Sequence, residues 1–112
     1  MNLNSIETDK ARIVTVGVDR IDAAVAIRFK EQMRRETAAG PDRIILDLSK
    51  VDFIDSSGLG AIVAAMKQLP AGHRLELAAL TPDVDKVFRL TRMDTIFVIH
   101  DSADLALCRA AG

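Results

Sequence analysis

Residues 43–48 read Arg-Ile-Ile-Leu-Asp-Leu, and the consecutive apolar trio Ile44, Ile45 and Leu46 constrains the chain more than any other segment. A strand that is apolar on both faces needs cover on both, as a central strand has in a sheet layered with helices. The neighbouring segments supply those helices. From Asp22, a candidate cap, the residues Val25, Ala26, Phe29 and Met33 form an apolar stripe, and this helix is expected to stop near Gly40-Pro41. Residues 57–69 repeat the helical period through Leu59, Ile62, Val63, Met66 and Leu69, with Pro70 just beyond. Thr81-Pro82-Asp83 has the form of a capped helix start and feeds Val84, Val87, Phe88 and Thr91. Asp101 or Ser102 is expected to cap a last helix through Leu105 and Cys108.

Strand patterns fill the gaps. Ser5-Ile6-Glu7 leads through Thr8-Asp9-Lys10 into RIVTVGV, where Val14, Val16 and Val18 alternate with Ile13, Thr15 and Gly17. RLELAAL (residues 74–80) and IFVI (residues 96–99) read as further strands. The order is β-β-α-β-α-β-α-β-α. It predicts an α/β fold, a mostly parallel mixed sheet with an N-terminal antiparallel hairpin, covered by helices. No repeat or linker interrupts the chain, so residues 1–112 are expected to form one domain. Leu, Ile, Val and Phe supply 34 of the 112 residues, enough for a core without staples.

Composition narrows the function. Fifteen basic and 16 acidic residues give a net charge of -1, which argues against nucleic acid or an anionic membrane as partner. Trp and Tyr are absent, so no platform exists for stacking single strands. One cysteine, Cys108, excludes an internal disulfide and suits a reducing compartment. No apolar run approaches the ~20 residues of a membrane span, and the start MNLNSIETDK has no signal-peptide core. A soluble cytoplasmic domain is expected.

Enzymatic motifs fail one by one. His73, His100 and Cys108 are not at metal-ligand spacing, and both histidines read as surface or satisfied side chains. A nucleophile elbow would want glycine two residues before Ser56, where Ile54 stands. A dinucleotide loop would have Gly58 and Gly60 but not Val63 as its third small residue, and no Gly-Lys-Ser/Thr triplet exists for a P-loop. No catalytic residue, cofactor or metal is expected.

One segment stands apart, LDLSKVDFIDSSGLGAIV at residues 46–63. A buried strand ends, a short loop follows, and a helix begins at Asp55-Ser56-Ser57-Gly58, with Asp55 or Ser56 as the cap. A cap does not account for Gly58 and Gly60, each of which costs ~1 kcal/mol in a helix relative to Ala. Glycines there bare the helix start and let another backbone or a protein partner come close. The loop also lies past the carboxyl end of a strand, where ligands of α/β sheets bind.

FIDSSGLGAIV resembles the signature of STAS domains, specifically the single-domain anti-sigma factor antagonists. RIDAAVAIRFKEQM resembles that family's first helix and ILDLSKVDFIDSSGLG its central strand and phosphorylation loop. LTRMDTIFVIHDSADLAL resembles its third helix, last strand and final helix. The resemblance implies that Ser56 is the phosphate acceptor, with Asp55 the acid before it and Asp22 the acid at the start of the first helix. It implies a partner-binding face that includes Asp22, Asp55, Ser57, Gly58, Leu59 and Gly60. Ser57 is expected to be a helix-start residue whose hydroxyl bonds the backbone. The chain departs from the family at Asp19-Arg20-Ile21, near which a glycine is common, and at Arg92, another frequent glycine position.

The implied role is an anti-sigma factor antagonist acting by partner switching. Unphosphorylated, it would bind a kinase-type anti-sigma factor (a serine-protein kinase) and free a sigma factor. Phosphorylated on Ser56, it would let go, until a phosphoserine phosphatase resets it. The free chain is expected to be a monomer. Alternatives are a STAS module of another assembly (a stress-signalling complex, a chemotaxis-type output or a lipid-transport accessory) and a nucleotide-binding α/β domain.

Overall fold

The structure, a computed structural model, describes residues 2–109. Its first half runs β1 (Leu3–Glu7), β2 (Arg12–Val16), β3 (Arg20–Ile21), α1 (Ala26–Glu36), β4 (Arg43–Asp47) and β5 (Phe53–Ile54). Its second half runs α2 (Ser56–Lys67), β6 (Arg74–Ala78), α3 (Pro82–Leu90), a 3-10 turn (Met93–Thr95), β7 (Ile99–His100) and α4 (Ala103–Cys108).

The N-terminal hairpin pairs β1 antiparallel to β2, from Leu3↔Val16 to Glu7↔Arg12. Thr8 closes its turn, the hydroxyl accepting from the amides of Lys10 and Ala11 at 3.2 and 3.0 Å. Beyond the hairpin all pairings are parallel, and the main sheet has the order β1-β2-β4-β6-β7. Each step from β2 to β4, β6 and β7 moves one place in the same direction. Right-handed crossovers therefore put α1, α2 and α3 on one face of the sheet.

That face carries the main core. Val14, Val16, Ile44, Leu46, Leu75 and Leu77 point into it from the sheet. They meet Phe29 and Met33 of α1, Ile62 of α2, and Val84 and Phe88 of α3. Phe88 meets Phe97 edge-on, ring centres 6.1 Å apart, a favoured aromatic arrangement. The opposite face holds a smaller cluster, Ala11, Ile45, Ala78 and Ala106, under α4. Ile44 and Leu46 thus enter one core and Ile45 the other, as the apolar trio requires.

A buried polar group lies on the α4 side. Arg43 donates to Glu76 Oε1 through Nε at 3.1 Å and Nη2 at 2.8 Å, and to the Ala106 carbonyl at the end of α4 at 2.8 Å. Glu76 Oε1 also meets His100 Nε2 at 2.7 Å, and Oε2 meets Arg74 Nε at 3.0 Å. Arg109 lies 2.9 Å from His100 Nδ1. A guanidinium can only donate, so Nδ1 accepts and the ring proton on Nε2 goes to Glu76. His100 is the satisfied side chain expected of it, while the buried Nδ1 of His73 has no hydrogen-bond partner among the described residues.

Several boundaries differ from the sequence reading, each for a local reason. α1 starts at Ala26 rather than at Asp22. The Asp22 carboxylate accepts from the Ala24 amide at 3.1 Å, and its carbonyl accepts from Val25 and Ala26. That turn displaces the helix start, and Asp22 is not its cap. Thr81 precedes α3, but its hydroxyl donates to the Val51 carbonyl at 2.7 Å instead of capping. Ser102, not Asp101, caps α4 by accepting from the Leu105 amide at 3.1 Å. The last strand is confined to Ile99–His100, because Met93–Thr95 form a 3-10 turn that delivers Phe97 to the core. Arg92 enters that turn with φ of 63°, the left-handed conformation in which glycine is at ease. Strands β3 and β5, which pair in a separate sheet, have no counterpart in the sequence reading.

Candidate functional site

The two-residue strands β3 and β5 frame the loop that the sequence singles out. They pair parallel, Arg20 opposite Phe53 and Ile21 opposite Ile54, burying the two isoleucines. The Asp19 carbonyl accepts from Asp52 at 2.8 Å and from Phe53 at 3.3 Å, extending the seam by one residue. Past the seam the two chains turn into α1 and α2 respectively.

Asp55 joins these two turns and is the cap of α2. Its extended backbone (φ -99°, ψ -176°) points Oδ1 at the Gly58 amide, 2.8 Å away, while Oδ2 accepts from the Ala23 amide at 3.2 Å. One carboxylate therefore satisfies a free amide of α2 and one of the turn ahead of α1. Asp22 sits beside it, Oδ1 on the Ala24 amide and Oδ2 on Arg20 Nε at 3.3 Å.

The glycines divide the work. Gly58 is buried, and a Cβ there would lie 1.9 Å from the Ile21 carbonyl oxygen. The approach it permits is that of the chain's own backbone, which lets β3 end directly against α2. Gly60 is exposed with nothing within 4 Å of a would-be Cβ, so it bares the helix surface to solvent. Leu59 packs against the core and is half-buried.

Ser56 and Ser57, the first residues of α2, are both exposed. Among the described residues neither hydroxyl has a hydrogen-bond partner, so Ser57 does not bond the backbone as expected. The structure thus brings Asp22, Asp55, Ser56, Ser57 and Gly60 to one end of the molecule, with Gly58 and Leu59 beneath. Phe53 and Arg20, which the sequence reading did not select, lie on the same end. Phe53 is 41% exposed, and the Arg20 guanidinium carbon stands 4.2 Å from its ring centre. The signal that could have found them is their position two residues ahead of the paired acids Asp22 and Asp55, on strands whose side chains alternate. Among the described residues there is no cluster of His, Cys, Asp and Glu able to hold a metal ion, and no helix is long and apolar enough to cross a membrane.

Known proteins share this architecture. A Bordetella bronchiseptica protein named as the anti-sigma factor antagonist BtrV is 30% identical over 87 residues, covering 77% of this chain and 75% of its own. The anti-sigma-B factor antagonist of Listeria monocytogenes is 30% identical over 96 residues, covering 85% of this chain and 82% of its own. The crystal structure of an anti-sigma factor antagonist from Mycobacterium paratuberculosis superposes with a TM-score of 0.84 at 25% identity, over 96% of this chain and 91% of that one. The model of the STAS domain matches residues 2–106, nearly the full length, and the chain belongs to the STAS domain family.

Proposed function

We propose that this chain is an anti-sigma factor antagonist that works by partner switching, with Ser56 as the phosphate acceptor. The observation that carries the reading is the Ser56 hydroxyl, exposed and, among the described residues, unbonded at the first position of α2 beside the capping Asp55. The names of the relatives from Bordetella bronchiseptica and Listeria monocytogenes support the same role.

In this reading Asp22, Asp55, Ser57, Gly60 and the surface over Gly58 and Leu59 receive a kinase-type anti-sigma factor. The kinase moves the terminal phosphoryl group of ATP to Ser56 Oγ. An O–P bond forms, ADP departs and the serine proton is released, so the antagonist itself contributes no catalytic group. A phosphatase returns the serine by hydrolysis. The phosphate brings about -1.5 to -2 charges. The fold tolerates them, because a helix N-terminus favours negative charge by roughly 0.3–1 kcal/mol. The interface does not. Two like charges about 4 Å apart at an effective dielectric near 20 repel by about 4 kcal/mol, close to a thousandfold in affinity.

The test mixes the protein with a kinase-type anti-sigma factor and ATP and locates the phosphate by mass spectrometry. Phosphate on Ser56, lost in Ser56→Ala, is the expected result, together with weakened binding of Ser56→Asp at an unchanged circular dichroism spectrum. Full incorporation at Ser57 in the Ser56→Ala protein overturns the assignment. Unfolding of Ser56→Asp overturns the switch.

A further inference from the structure

Arg20 lies on β3 at the end of the molecule that carries Ser56, and the role proposed for Ser56 does not use it. On β3 and β5 the side chains of Arg20 and Phe53 project to the side that also carries Asp22 and Asp55. The Arg20 guanidinium covers the Phe53 ring and, among the described residues, makes a single hydrogen bond, Nε to Asp22 at 3.3 Å. The side chain is 55% exposed, and such a contact is held weakly, leaving most of its N–H donors open to solvent.

A phosphate on Ser56 would enter a demanding field. Asp55 precedes it directly, and Asp22 lies across the seam, one residue from the Ala23 amide that Asp55 holds. Two carboxylates disfavour a dianion. The helix offers partial relief only, because the Gly58 amide is already taken by the Asp55 side chain and the Leu59 amide by its carbonyl. The exposed cation paired with Asp22 is Arg20, whose planar fork suits phosphate better than a single carboxylate oxygen.

We propose that Arg20 is the internal counter-ion of phosphorylated Ser56: its guanidinium leaves Asp22 and the Phe53 ring for the phosphate. Phosphorylation then does more than add charge. It uncovers one face of an exposed aromatic ring on the docking end, changing the shape offered to a partner. This rests on Ser56 being the acceptor and assigns how the modified state is held.

The experiment places phosphoserine at position 56 during synthesis, so no kinase is needed. The phosphorus resonance is titrated in the otherwise unaltered protein and in Arg20→Gln, and the Arg20 Nε–H resonance is followed before and after modification. The second phosphate pKa, ordinarily about 6, is expected about half a unit higher in Arg20→Gln, with Arg20→Lys recovering part of the difference. The ring-current shift that Phe53 imposes on Arg20 is expected to vanish in the phosphorylated protein. Matching amide spectra of the unmodified proteins show that the variants fold. Coincident titrations with an unmoved Arg20 resonance overturn the proposal. A kinase that ignores Ser56 would instead overturn the partner-switching reading, since this measurement proceeds without it.

Discussion

Of the groupings of acid and arginine in the molecule, one is buried and one lies at the docking end, and access to water separates their roles. Glu76, Arg43 and His100 are each less than 5% exposed between the sheet and α4, and both Glu76 oxygens are engaged. Asp22, Asp55 and Arg20 lie at the surface, where, among the described residues, Arg20 has one hydrogen bond and the serines beside Asp55 have none. The same residue types make a fixed tie in one place and an adjustable surface in the other. A buried ion cannot be left without its partner, whereas an exposed one can exchange partners at little cost.

The largest expected difference is in stability. Glu76→Ala leaves Arg43 buried without its carboxylate and should cost about 3–5 kcal/mol in urea unfolding. Asp55→Ala removes a surface cap and should cost about 0.5–2 kcal/mol. Equal losses would erase the contrast.

A smaller effect separates two glycines of one helix. Gly58→Ala drives a methyl into the Ile21 carbonyl and should cost about 1–3 kcal/mol. Gly60→Ala meets open space and should gain roughly 0.5–1 kcal/mol from helix propensity. Thermal melts of the two variants sharpen the line between what the docking end needs for folding and what it leaves free.

The smallest effect is a pH slope. Burial pushes the Glu76 carboxyl up, but hydrogen bonds from Arg43 and His100 and the charges of Arg43 and Arg74 together hold it below its ordinary value of 4.5. Its stabilising contribution is therefore complete above that value and is lost as pH falls through the lower, folded one. The stability gap between the unaltered protein and Glu76→Gln should narrow on acidification below about 4.5. A gap that stays constant there would mean that the buried acid is not ionised.

Much of this architecture is legible in the sequence because burial writes a period into it. Ile44, Ile45 and Leu46 announce a strand covered on both sides, and Phe29 with Met33 announces the inner stripe of α1. The loop at Ser56 is legible as a helix start with glycines it does not need for folding a helix. What escapes is set by distant backbone. Arg20 and Phe53 pair across 32 intervening residues, in two-residue strands too short to write a recognisable period into the sequence. Asp22 has the chemistry of a cap, yet it closes a turn instead, and only the Ile21 carbonyl explains Gly58. IFVI reads as a strand because Ile96, Phe97, Val98 and Ile99 are all apolar, but Phe97 alone of the four is fully committed to the core, while Ile96 and Val98 are half exposed.

The lodging of the Ile21 carbonyl against Gly58 has a consequence for how such proteins diverge. It works like a dowel. The rim around Ser56 can be rewritten at positions 20, 53, 57 and 60 without loosening the joint, so recognition of a new partner is open to single substitutions. Position 58 allows no such drift: any side chain there pries apart the two turns that Asp55 holds together.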